Sequence, residues 1–149
     1  MTKKLALILG VLLLSLTSIH DAKAADVASK VSGDANIVSA IANKRRVDFV
    51  EGSGMVVVKL LPDDLNGLEH QKWVVRLSNG ALMQAVYNLD MCEHVPLKVG
   101  DVVSMGGQFI WTNQGALLHW LHFDPRQNRP DGYVELNGKV YCGDGQRHK

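Results

Sequence analysis

Hydrophobic residues follow three successive patterns along this chain. Residues 5–19 are almost continuously apolar, behind Lys3 and Lys4 and ahead of Ala22-Lys23-Ala24. A positive start, a short apolar run and a small-x-small site are the three parts of a secretory signal, so residues 1–24 are read as a signal peptide. The run is shorter than the roughly 20 residues that a membrane span requires; the alternative is an N-terminal anchor left uncleaved. Residues 25–33 are small and polar and form a leader. Ile37, Val38 and Ile41 then fall on one stripe at helical spacing, which predicts a short helix from an Asp34 cap to about Lys44. Lys44-Arg45-Arg46 place positive charge at its C-terminal end.

From Val47 the period shortens to that of strands. A valine-rich segment over residues 47–61 carries Gly52 and Gly54 in its middle, the mark of a bulge or bend. Residues 71–78 and 81–87 are apolar runs separated by Asn79-Gly80, a strong hairpin signal. Residues 88–100 form a connection with room for a short helix. Two further strands follow, near 101–111 and 116–123, then a polar loop, then a compact hairpin around Asn137-Gly138. Three meandering strands, a connection and a hairpin predict an all-β fold: a small five-stranded OB-like barrel with a short N-terminal helix and a C-terminal hairpin. The expected organisation is signal peptide 1–24, leader and helix 25–46, barrel 47–142 and tail 143–149.

Composition narrows the function classes. Of 149 residues, 46% are apolar and 21% charged, which excludes a disordered, collagen-like or coiled-coil chain. Three basic residues and one acidic residue leave with the signal, so the balance of 16 basic to 15 acidic becomes 13 to 14. Nucleic acid as a partner is therefore possible only through a local patch, not through overall charge. An exported chain with two cysteines suggests a Cys92–Cys142 disulfide. Closing a loop of that size stabilises the fold by about 3–4 kcal/mol in the chain-entropy estimate. Free or metal-binding thiols are the alternative, although no CxxC spacing supports them.

Candidate chemistry concentrates in His119-Trp120-Leu121-His122-Phe123-Asp124-Pro125. If the strand is regular, His119 faces with Leu117, Leu121 and Phe123, whereas His122 faces with Trp120 and Asp124. On that parity His119 and His122 cannot share an ion. The metal set left by this argument is His70, His122 and Asp124, with His94 as an alternative donor. The plainer reading makes His119 a buried histidine and His122–Asp124 a pair that caps a turn. In an OB-like barrel the loop with Asp63, Asp64 and His70 and the hairpin with Trp111, Asn113 and Gln114 would flank one binding face. Trp73, Trp111 and Trp120 are candidate stacking surfaces, and Arg126 with Arg129 a candidate anion clamp. No GxSxG, HExxH, Walker or Rossmann pattern occurs.

Residues 54–141 resemble a family of small exported bacterial proteins known only as a domain of unknown function. The resemblance rests on Gly54-Met55-Val56, Leu61-Pro62-Asp63-Asp64, Gly67, His70-Gln71 and Asn88. It continues through Gly100-Asp101-Val102-Val103, Gly107, His119-Trp120, His122, Asp124-Pro125, Gly132-Tyr133 and Asn137-Gly138 to Tyr141. The family pattern has histidine at position 87, threonine at 121 and a further histidine at 123; this chain has Tyr87, Leu121 and Phe123. The resemblance implies an OB-type barrel and no particular activity.

These observations set one leading expectation and two alternatives. The first is an exported, OB-like binding module for a small polar ligand, an oligosaccharide or a short nucleic acid. Its site would comprise His70, Gln71, Asn88, Trp111, Trp120, His122 and Asp124, with no cofactor and no membrane span after signal cleavage. The second is a metal-assisted phosphodiesterase-like hydrolase using one divalent metal such as zinc on His70, His122 and Asp124. The third is an envelope interaction or stress protein that docks a partner through the helix or an open barrel edge.

Overall fold

The valine-rich segment becomes one long, bent strand, and the rest of the molecule is organised around it. A computed structural model describes residues 33–143; the expected signal peptide and most of the leader and tail lie outside the described residues. In chain order the elements are α1 (Ala35–Asn43), β1 (Val47–Asp64), β2 (His70–Arg76), β3 (Leu82–Asn88), β4 (Val102–Thr112), β5 (Gly115–His119), β6 (Tyr133–Leu136) and β7 (Lys139–Tyr141).

Strand β1 is long enough to pair twice. Its first part runs antiparallel to β4 and its second part antiparallel to β2. The register slips between Gly52 and Met55, where Gly54 adopts φ +77°, and that irregularity turns the strand from one partner to the other. With β2–β3 and β4–β5 antiparallel and β3–β5 parallel, five strands close into a ring in the order β1-β2-β3-β5-β4 and back to β1. The all-β expectation holds, including the N-terminal helix and a C-terminal hairpin, β6–β7, which extends the ring from β4. The Asn137-Gly138 turn of that hairpin has positive φ at both residues, 52° and 78°.

Inward positions of the ring carry Met55, Val57, Trp73, Val75, Met83, Ala85, Tyr87, Met105, Phe109 and Leu118, all essentially inaccessible to solvent. Helix α1 lies on β1 where Gly52 has no side chain; a Cβ there would meet Ile37 Cδ1 at 2.8 Å. Asp34 precedes the helix as expected, but its side chain makes no cap. It accepts instead from the Ser78 backbone N–H (2.7 Å) and hydroxyl (2.6 Å), tying the helix to the β2–β3 hairpin.

The connection between β3 and β4 contains no helix. Buried Gln71 organises it, donating from Nε2 to the Val95 carbonyl (2.8 Å) and accepting at Oε1 from the Val95 N–H (2.9 Å). Both backbone groups of an inward-facing valine are thereby satisfied, which an irregular segment crossing a core requires.

Candidate functional site

Strand polarity decides which candidate residues meet. Strand β2 begins at His70, paired with Asn88 at the end of β3; β5 runs parallel to β3 and ends at His119. His70, Asn88 and His119 therefore lie at one end of the sheet, on its outer face. The Asn113-Gln114 turn leads into the other end of β5. The two loops expected to supply one site consequently stand at opposite ends. Trp111 is 40% exposed and carries Lys44 Nζ over its ring at 4.9 Å, beside α1. Asp63 instead pairs with His94 Nε2 at 3.3 Å, and Asp64 accepts from the Asn66 N–H.

At the His70 end the outer face opens into a cavity of about 310 Å³, lined by Leu68, His70, Val86, Asn88, Met91, His119, Trp120 and His122. A cavity of about 380 Å³ lies between α1 and β1, but no imidazole or sulfur lines it.

The presence of both His119 and His122 overturns the parity argument. Strand β5 stops at His119, and Trp120 has φ +58°, a left-handed conformation rare for a bulky residue. That residue breaks the strand's alternation, and His122 lines the same cavity as His119. Two glycines make this break possible by close approach. A Cβ at Gly107 would collide with the His119 carbonyl oxygen, and one at Gly132 with the Trp120 carbonyl oxygen. The Gly132 N–H donates to the His122 carbonyl at 2.8 Å, and the Phe123 N–H to the Cys142 carbonyl at 2.8 Å.

Each imidazole has one nitrogen held by the protein. Gln108 Nε2 donates to Asp48 Oδ1 (3.1 Å), which turns Gln108 Oε1 toward His119. Oε1 only accepts, so the 2.8 Å contact makes His119 Nε2 the donor. His122 Nδ1 lies 2.7 Å from the Phe123 carbonyl and donates for the same reason. The lone pairs therefore fall on His119 Nδ1 and His122 Nε2. Among the described residues, the buried unpartnered side-chain nitrogens are Trp73 Nε1 and Arg129 Nη1; neither bare imidazole nitrogen is of that kind.

Burial lowers the pKa of both imidazoles. For His119 the Arg46 and Arg129 charges act in the same direction. For His122 burial prevails over the Phe123 carbonyl bond and the Asp124 charge, which oppose it. Both rings are thus neutral at neutral pH. Trp120 stacks on the His122 ring (centroids 4.7 Å apart, planes 28° apart) and receives Arg129 Cζ 4.2 Å from its centroid.

The remaining candidates are committed elsewhere. Gln71 faces inward and is spent on Val95. Trp73 is a core residue. Buried Asp124 accepts backbone N–H bonds from Arg126 (3.1 Å), Asn128 (2.7 Å) and Arg129 (3.1 Å), folding the loop that follows it. Burial works to raise its pKa, but those bonds and the Arg129 charge outweigh it and hold the carboxyl below its ordinary value. With its oxygens so engaged, Asp124 does not join His70 and His122. Among the described residues no group of three or more His, Cys, Asp or Glu side chains is placed to hold a metal ion. Arg126 is exposed, and Arg129 lies over the Trp120 ring with its Nη1 buried and unpartnered.

The disulfide ties two walls of the cavity together. Cys92 bonds Cys142 with Cα atoms 5.5 Å apart. Cys92 adjoins Met91, and the Cys142 carbonyl holds Phe123 beside His122. Asn88 Oδ1 accepts from the Met91 N–H (3.0 Å), fixing the turn that brings Met91 to the cavity. Met91 and Gln108 were not among the expected site residues. Met91 had a sequence signal, its place between Asn88 and a paired cysteine; Gln108 had none.

No helix among the described residues is long and apolar enough to cross a membrane. No curated protein and no solved structure matches this chain. The family described as "Protein of unknown function (DUF3465)" matches residues 19–142, a span that includes every element of the ring and every residue of the cavity. The chain belongs to that family.

Proposed function

We propose that this protein is an exported binding module whose ligand occupies the cavity on the outer face of β2, β3 and β5. One observation carries this reading: two neutral imidazoles line the same cavity, each with one nitrogen held by the protein and the other left with its lone pair. Neither bare nitrogen is sealed in the core, so a molecule in the cavity can reach both. Here a strained Trp120 and two close-packed glycines maintain an arrangement that leaves two acceptors open. The ligand class that fits is a small electron-pair acceptor or hydrogen-bond donor, set against the apolar walls of Leu68 and Val86 and the Trp120 ring. The disulfide and the signal-like N-terminus support export. A divalent hydrolytic centre on His70, His122 and Asp124 is not proposed, because Asp124 is consumed by its own loop.

The test is a ligand screen read by NMR on uniformly 15N-labelled protein, using hydrogen-bonding fragments, sugars, nucleosides and metal ions. Saturable shifts centred on Val86, Asn88, Met91, His119 and His122 are expected. Shifts that cluster at the α1–β1 cavity, or no saturable shift from any compound, would contradict the reading.

A further inference from the structure

We propose that the cavity is a site for monovalent copper, held by His119 Nδ1, His122 Nε2 and the thioether sulfur of Met91. This rests on the reading of the cavity as a binding site and names its ligand.

The donor chemistry selects the ion. An imidazole that binds a metal through one nitrogen ordinarily donates its other N–H to a carbonyl or carboxylate, which fixes ring and tautomer. Gln108 Oε1 and the Phe123 carbonyl occupy those outer positions for His119 and His122. Besides the Asn88 amide, the Trp120 indole and a third imidazole, His70, which is not grouped with the other two as a metal-holding set of three, the lining carries the sulfur of Met91. Thioether with imidazole suits soft, monovalent copper, whereas magnesium, calcium and manganese require oxygen ligands. No carboxylate lines the cavity, and the Arg129 guanidinium lies on its Trp120 wall, so a low-charge ion is favoured over a divalent one. A closed zinc site needs four donors drawn largely from His, Cys and carboxylates, and no such group of three is assembled among the described residues. Monovalent copper, with a filled d shell, is satisfied by two or three soft donors. The disulfide suits this role as well. It locks both cysteines away from the metal while holding Met91 on one wall and His122 on the other.

The experiment is an anaerobic competition in which the protein withdraws monovalent copper from its coloured bicinchoninate complex. Ascorbate serves as the reductant because it leaves the disulfide intact. One copper per chain is expected, with X-ray absorption showing nitrogen and sulfur donors. His119→Gln and His122→Gln should abolish uptake. Met91→Leu conserves volume and should keep the wild-type Tm while weakening uptake at least about tenfold, since loss of even an outer-shell partner of a metal ligand costs about 10–100-fold. Failure to withdraw copper would overturn the proposal, as would equal uptake by folded Met91→Leu and His119→Gln. If copper is refused but an organic compound shifts the same resonances, the copper assignment fails and the binding module stands. If nothing shifts them, both fail.

Discussion

His119 and Gln108 share a 2.8 Å hydrogen bond across the β4–β5 pair, and its direction is set one step further away, where Gln108 donates to Asp48 at 3.1 Å. Asp48 in turn pairs with Arg46 at 3.1 Å. A chain of charge and amide therefore dictates which imidazole nitrogen of His119 carries the proton. Replacing Gln108, itself buried, with leucine removes that instruction. Gln108→Leu is expected to cost about 1–3 kcal/mol, the loss associated with leaving a partly buried donor unpaired. Urea denaturation would report the cost. NMR should show His119 as a mixture of tautomers.

The left-handed break at Trp120 depends on absent side chains. Gly132→Ala would drive a Cβ into the Trp120 carbonyl and is expected to lower stability by about 3 kcal/mol or more. Gly67→Ala is the contrast. Its Cβ meets nothing within 4 Å, and only the positive φ of +88° opposes it, for a cost of about 1 kcal/mol. Equal urea midpoints for the two variants would contradict the packing account.

The Cys92–Cys142 bond closes a sequence separation of 50 residues. The double Cys→Ser variant should lose about 3–4 kcal/mol if chain entropy governs the effect. Hydrogen exchange should localise the loosening. The Phe123 amide, bonded to the Cys142 carbonyl, is expected to exchange faster, while amides of the β2–β3 pairing change little. Uniform acceleration across the ring would argue that the disulfide does not act on the cavity.

Acid should weaken the fold through the two cavity histidines. Their folded pKa values lie below the ordinary 6.5, chiefly through burial. The unfolded chain therefore binds protons that the folded chain refuses, and stability rises with pH over that interval. The contribution is complete above the ordinary value and is lost as pH falls through it toward the folded values. Tm should drop as pH falls through about 6.5 and below, with a shallower slope in His119→Gln and His122→Gln. An unchanged slope would mean that these rings are not held neutral.

Much of the ring was legible from residue order. The alternation after Val47, the paired glycines of β1 and the two Asn-Gly turns each encode local geometry that tertiary packing does not override. The cavity was less legible, because it depends on one residue that breaks a rule. Parity assumed that a strand beginning near residue 116 continued to 123, and nothing in the run of alternating apolar residues marks Trp120 as left-handed. The constraint comes from Gly107 and Gly132, which are remote in sequence from Trp120 and identify themselves only by what they touch. Gln71 misled in the opposite sense. A polar residue beside His70 suggested a site, yet strand alternation turns it inward to Val95, whose position depended on a connection expected to have room for a helix. Trp111 was a plausible stacking surface until the parallel β3–β5 pair placed its turn at the far end of the sheet.

The central claim is that two neutral imidazoles offer lone pairs to one cavity, and long-range 15N–1H correlation spectra of the histidine rings at neutral pH test it most directly. The account predicts a proton on Nε2 of His119 and on Nδ1 of His122, with His119 Nδ1 and His122 Nε2 bare. Reversed tautomers at either ring, or a doubly protonated ring at neutral pH, would contradict it.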